Sequence, residues 1–165
     1  MTSQKYAKLM TGIRKIVRAI NLESKRVQKE LDISIPQLLT LKYLQDCDDY
    51  KSTMKEIKGF LSLNASTVTG IVSRLEQKGL IARLPDPKDK RSTPIILTSK
   101  GNEVLIQSNE SLHERISKNL EVIDEDEFSR IINSLETLID LFNIQEVDAS
   151  PIITGQVTIE NTKQS

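Results

Sequence analysis

The chain has 165 residues, with 23 Lys/Arg balanced by 23 Asp/Glu, one cysteine, one histidine and no tryptophan. That length accommodates one compact domain, or a small domain with a dimerisation arm. A single cysteine excludes an intrachain disulfide and a cysteine-cluster metal site, and the scarcity of aromatics argues against a stacking platform for single strands.

The zero net charge conceals an uneven distribution. Residues 1–50 carry nine basic and six acidic side chains (+3), residues 51–100 carry ten and four (+6), and residues 101–165 carry four and thirteen (−9). The basic excess lies in the middle of the chain, where it forms an electrostatic footprint for a polyanion. No apolar run approaches the roughly 18 residues of a membrane span. Lys5, Lys8, Arg14, Lys15 and Arg18 interrupt any signal core, so a cytoplasmic location without a membrane partner is expected.

Apolar residues at 6, 9, 13, 16, 17 and 20, then 27 and 31, follow helical spacing and predict one long helix over residues 4–30. Its stripe runs through more turns than a small core needs, so part of it should pack on another subunit. A second helix begins after Ser34, with Pro36 in its first turn and Leu38, Leu39, Leu41, Tyr43 and Leu44 making it largely buried. Residues 46–51 read as a polar connection. Thr53 and Glu56 form a capping-box pattern that starts a short third helix ending near Leu61.

Asn64 caps the fourth helix. Along it Val68, Ile71, Val72 and Leu75 recur at core spacing, which leaves Ala65, Ser66, Thr69, Gly70, Ser73, Arg74 and Gln77 outward. Short hydrogen-bonding side chains at a helix start can approach base edges and offer backbone amides to phosphate. Gly79 ends the helix with Leu80 as its apolar contact. Residues 81–84 and 94–97 are two short apolar runs joined by a long basic tip, which predicts a β-hairpin. Pro94 suits the start of an edge strand and argues against a central one. Thr98 caps a fifth helix with Val104, Leu105, Ser108, Leu112, Ile116 and Leu120 on one stripe. Asp124 and Glu127 cap a sixth, striped by Phe128, Ile131, Leu135, Leu138 and Phe142. Residues 146–165 lose periodicity and read as a flexible tail.

The expected fold is mainly α with a small β-hairpin wing: a winged helix-turn-helix flanked by N- and C-terminal dimerisation helices. The expected divisions are 1–33, 34–98, 99–145 and the tail at 146–165. A helix for the major groove and a hairpin beside it predict a protein that binds double-stranded DNA.

Residues 5–145 resemble the MarR family of bacterial winged-helix regulators. The resemblance rests on Thr67-Val68-Thr69 and on Leu75-Glu76-Gln77-Lys78-Gly79-Leu80-Ile81 with Arg83 following. It continues in Asp86-Pro87-Lys88-Asp89-Lys90-Arg91 and in Leu97-Thr98-Ser99-Lys100-Gly101. It implies an obligate homodimer, built from the first, fifth and sixth helices, on a palindromic operator. It also implies a repressor released by a small-molecule effector or an oxidant.

By the resemblance, Arg91 is the wing-tip arginine that enters the minor groove, and Asp89 is the carboxylate that holds it. A guanidinium suits a narrow, electronegative minor groove. Ser66, Thr67 and Thr69 match the contact face of the recognition helix. Asn64 and Ser73 extend that face. Arg74 is expected on phosphate or in an ion pair with Asp89, and Lys88 and Lys90 on phosphate. Gly70 departs from the family, many of whose members carry a basic residue there.

The sensing element is less legible. Cys47 lies beside Asp46, Asp48 and Asp49, whose charge disfavours a thiolate, so an inert thiol is expected and a redox switch is the alternative. Tyr43 and His113 are weak candidates for an effector cleft. No phosphate-cradling loop, nucleophile arrangement or metal-ligand spacing appears, so neither an enzyme nor a cofactor is expected. A winged helix that binds protein instead of DNA is the other alternative.

Overall fold

The computed structural model describes residues 2–84, 93–108 and 110–147. The elements are α1 (Thr2–Leu31), α2 (Ile35–Asp46), a 3-10 turn (Asp48–Tyr50), β1 (Lys51–Ser52), α3 (Met54–Leu61), α4 (Ala65–Gln77), β2 (Ile81–Arg83), β3 (Ile95–Leu97), α5 (Ser99–Gln107), α6 (Leu112–Glu121) and α7 (Glu125–Phe142). Two compact units result, one running to Ser108 and the other Asn109–Ser150.

Within the first unit the core is aliphatic. Leu41 and Leu44 of α2, Ile57 of α3, Val72 and Leu75 of α4 and Ile95 of β3 are completely buried. These positions are what the 3.6-residue period of each helix turns inward, so α2, α3 and α4 pack around one apolar centre. The capping box at Thr53 forms as expected: the Glu56 amide donates to Thr53 Oγ1 (3.3 Å), and Glu56 Oε2 accepts from the Thr53 amide (2.9 Å). It sets the start of α3.

The hairpin belongs to a three-stranded antiparallel sheet in the order β1-β3-β2. Ile81, Ala82 and Arg83 face Leu97, Ile96 and Ile95, while Lys51 and Ser52 face Ile96 and Ile95. Two expectations are corrected here. Residues 51–52 are a strand, not the end of a polar connection. The run that begins at Pro94 is the central strand, not an edge. Pro94 stands one residue ahead of β3, where its missing N–H breaks no ladder bond, and its carbonyl accepts from the Leu84 amide at 2.9 Å.

A third correction concerns the fifth helix. Its stripe is split between α5 and α6. Ser108 caps the end of α5 in an extended conformation, and Ser111 starts α6 with a capping box to Glu114. Ser-x-x-Glu is an N-terminal signature as strong as the Thr53 one, and here it overrides a continuous apolar period. The following cap forms as expected, with Asp124 Oδ1 accepting from the Glu127 amide at 2.8 Å. The expected tail is outside the described residues from 148 on. No described helix is long and apolar enough to cross a membrane.

Candidate nucleic-acid interface

α4 has one buried face and one open face. Val68, Ile71, Val72 and Leu75 are at most 2% exposed. Ala65, Ser66, Thr69 and Arg74 are exposed, and Thr67, Gly70 and Ser73 are half-buried. Gly70 has open space where a Cβ would stand, so no neighbour demands glycine there. A three-residue turn through Ser62, in a left-handed conformation (φ 53°), joins α3 to α4.

The start of α4 is held by its own side chains. Asn64 Oδ1 accepts from the Thr67 amide (2.8 Å) and from the Ser66 hydroxyl (2.7 Å). The Thr69 hydroxyl donates to the Ala65 carbonyl at 2.8 Å. The Ser66 and Thr69 hydroxyls thus donate inward, which leaves oxygen lone pairs for a partner. Such acceptors suit the amino groups of adenine and cytosine in a major groove.

The end of α4 is a paired glycine cap. The Leu80 amide bonds the Leu75 carbonyl (3.0 Å), and the Gly79 amide bonds that of Glu76 (2.8 Å). Gly79 takes φ 71°, which only glycine adopts without strain. This turn delivers the chain directly into β2, so the polar-faced helix and the hairpin share one junction. At the hairpin base Arg83 pairs with Glu76 (3.2 Å). The tip residues Asp86, Lys88, Asp89, Lys90 and Arg91 lie outside the described residues, so an Arg74–Asp89 pair does too.

The structure therefore brings Asn64, Ser66, Thr67, Thr69, Ser73 and Arg74 onto one helix. Sequence reasoning does not reach Lys78, Asp32 and Lys100, which bond around the end of α4. A cation before the helix-ending glycine is legible, but its partner 46 residues away is not.

Of the proposed sensing residues, Tyr43 and Cys47 line one cavity. Tyr43 stacks on Phe60 with ring centroids 4.4 Å apart. His113 is exposed on α6. Cys47 is half-buried beside a shallow cavity of about 520 Å³ whose lining includes Asp46, Asp48 and Glu56. Among the described residues, no group of three or more His, Cys, Asp or Glu could hold a metal ion.

A short helix, a three-residue turn, a polar-faced helix and a returning hairpin define a winged helix-turn-helix, the architecture of duplex-DNA binders. The MarR family model matches residues 33–93, which contain α2, β1, α3, α4 and β2. The transcriptional repressor IacR of Pseudomonas putida is 26% identical over 113 residues, covering 68% of this chain and 66% of that one. The chain thus spans about two thirds of that relative's length. A mutant of S. aureus MepR bound to an oligodeoxyribonucleotide is 25% identical at a TM-score of 0.51, covering 83% of this chain and 97% of that one. The MarR-family regulator Sco3205 of Streptomyces coelicolor, in complex with DNA, superposes at 0.62 over 90% of this chain and 93% of that one; at 18% identity it speaks for the fold alone.

Proposed function

We propose that the chain is a ligand-responsive repressor that binds a palindromic duplex operator as a homodimer. The observation that carries this reading is the open, hydroxyl-bearing face at the start of α4, capped by Asn64 and backed by a fully buried face. Ser66, Thr67 and Thr69 contact base edges in the major groove. Asn64 and Ser73 flank them, and Arg74 takes a phosphate. Lys88 and Lys90 bind phosphate along the hairpin, Arg91 enters the minor groove, and Asp89 orients it. IacR is named a repressor, which supports that mode of action.

The dimer is supported by apolar rows left in the open. On α7, Phe128, Ile131, Ile132, Leu135, Leu141 and Phe142 are all more than a third exposed, and no residue of that helix is buried. On α1, Tyr6, Ile16, Val17 and Leu22 are exposed as well. Rows of this size mark a protein interface. A two-fold dimer presents two copies of α4 to half-sites one helical turn apart, about 10 base pairs centre to centre. An effector that changes the separation of the two α4 helices would release the operator.

The test is Arg91→Ala, made in the full chain and checked for native circular dichroism and mass. Binding to the operator duplex should weaken by roughly 1–3 kcal/mol. Full affinity in a folded Arg91→Ala dimer would remove Arg91 from the interface. Equal scattering envelopes and equal affinity with and without a genuine effector would reject the release mechanism.

A further inference from the structure

Lys78 sits at the C-terminal cap of α4, and its ammonium reaches across to the end of α1. There it donates to the Asp32 backbone carbonyl and to Asp32 Oδ2, the latter at 2.6 Å. Asp32 is the first residue beyond α1 and takes a left-handed conformation (φ 55°), with Oδ1 accepting from Gln28 at 3.2 Å. The ammonium therefore meets α1 where its orphan carbonyls and the negative end of its dipole lie. The hydrogen bond from Lys78, reinforced by its charge, holds the Asp32 carboxyl below the ordinary carboxylate value.

The carbonyls at the end of α4 are also taken, from the other side. Lys100 Nζ donates to the Lys78 carbonyl (2.8 Å), Thr98 Oγ1 to that of Gly79 (2.8 Å), and the Thr98 amide to that of Leu80 (3.1 Å). A Cβ on Gly101 would overlap the Leu80 carbonyl oxygen, so glycine is what lets the first turn of α5 come this close. One cation closes the end of α1 and a second closes the end of α4. Lys78 takes part in both: its ammonium makes the first closure, and its carbonyl accepts in the second.

We propose that Lys78 is a positioning residue for DNA recognition: bonded to Asp32, it clamps the end of α4 between the end of α1 and the start of α5, and so sets the angle at which α4 is presented. This inference rests on the reading of α4 as the recognition helix. It differs from a phosphate contact, which a lysine beside that helix could also supply. A phosphate lysine is freed when its internal carboxylate is removed, whereas a clamp is lost.

The experiment measures operator affinity and its salt dependence for the full chain carrying Lys78→Met, Asp32→Ala, or the exchange Asp32→Lys with Lys78→Asp. Positioning predicts that both single variants lose affinity by about threefold or more. The salt slope of each should match the parent's, and the exchange should recover part of the loss. A gain in affinity on Asp32→Ala, with a salt slope about one unit shallower for Lys78→Met, would assign Lys78 to phosphate and overturn the proposal. Lower melting temperatures with unchanged affinity would overturn it too, because the pair would then serve stability only. Amide exchange without DNA supplies a separate readout. The proposal expects faster exchange at Gly79 and Leu80 in Asp32→Ala, and an unchanged pattern would contradict it. Failure of the parent chain to bind any duplex would strike the DNA reading, and amide exchange would still decide whether the clamp exists.

Discussion

Asn64 shows how a residue can serve the proposed interface through the backbone it holds. Its carboxamide oxygen is committed to the Thr67 amide and the Ser66 hydroxyl, so its side chain organises the two residues beside it. Asn64→Ala should cost about 1 kcal/mol of stability in urea titration, the usual worth of a cap. Asn64→Asp should keep the cap, since aspartate serves equally there, yet lower operator affinity by placing a carboxylate beside phosphate. Unchanged affinity in Asn64→Asp would move the start of α4 away from the DNA. The outward face of α4 was readable because four aliphatic positions at helical spacing leave only one polar side. Lys78 was not, because its importance comes from a partner that the fold, not the local pattern, brings near.

At the scale of elements, caps were the most legible feature. Thr53 with Glu56, Asn64, Thr98 and Asp124 each close a helix start where their side-chain types predict. What escaped was set by competition or by pairing. The period of apolar residues runs on through 104–120 and hides the break that Ser108 and Ser111 impose. β1 has only two residues and no pattern of its own, and it exists because β3 has a free edge to pair. The α3 cap carries a pH dependence. The Thr53 backbone amide, then the Ser52 and Thr53 hydroxyls, hold the Glu56 carboxyl below its ordinary value. Its folded pKa is depressed, so its stabilisation is present above the unfolded-state pKa and is lost as pH falls through the folded one. Glu56→Gln should therefore flatten that part of the acid unfolding limb, followed by circular dichroism. An acid limb identical to the parent's would show that the carboxylate is not what the cap titrates.

The whole molecule joins a basic region to an acidic one. The +6 segment contains α4 and the hairpin, and the −9 segment contains α6 and α7. Zero net charge is thus compatible with a polyanionic partner, because the field is local. In the proposed dimer the exposed rows on α7 form the interface. Ile131→Asp combined with Leu135→Asp should give a folded monomer by sedimentation, with duplex affinity reduced by more than tenfold, since a single α4 reads one half-site. A variant that stays dimeric would place the interface elsewhere.

The most direct test of the central claim is fluorescence anisotropy of the full chain with duplex DNA from its own upstream region, against a scrambled duplex, at two salt concentrations. Preferential binding to the upstream duplex, weakened steeply by salt as phosphate contacts release counterions, is the predicted result. Equal weak binding to both duplexes, or none at low salt, would contradict it and turn the open face of α4 into a surface for a protein partner.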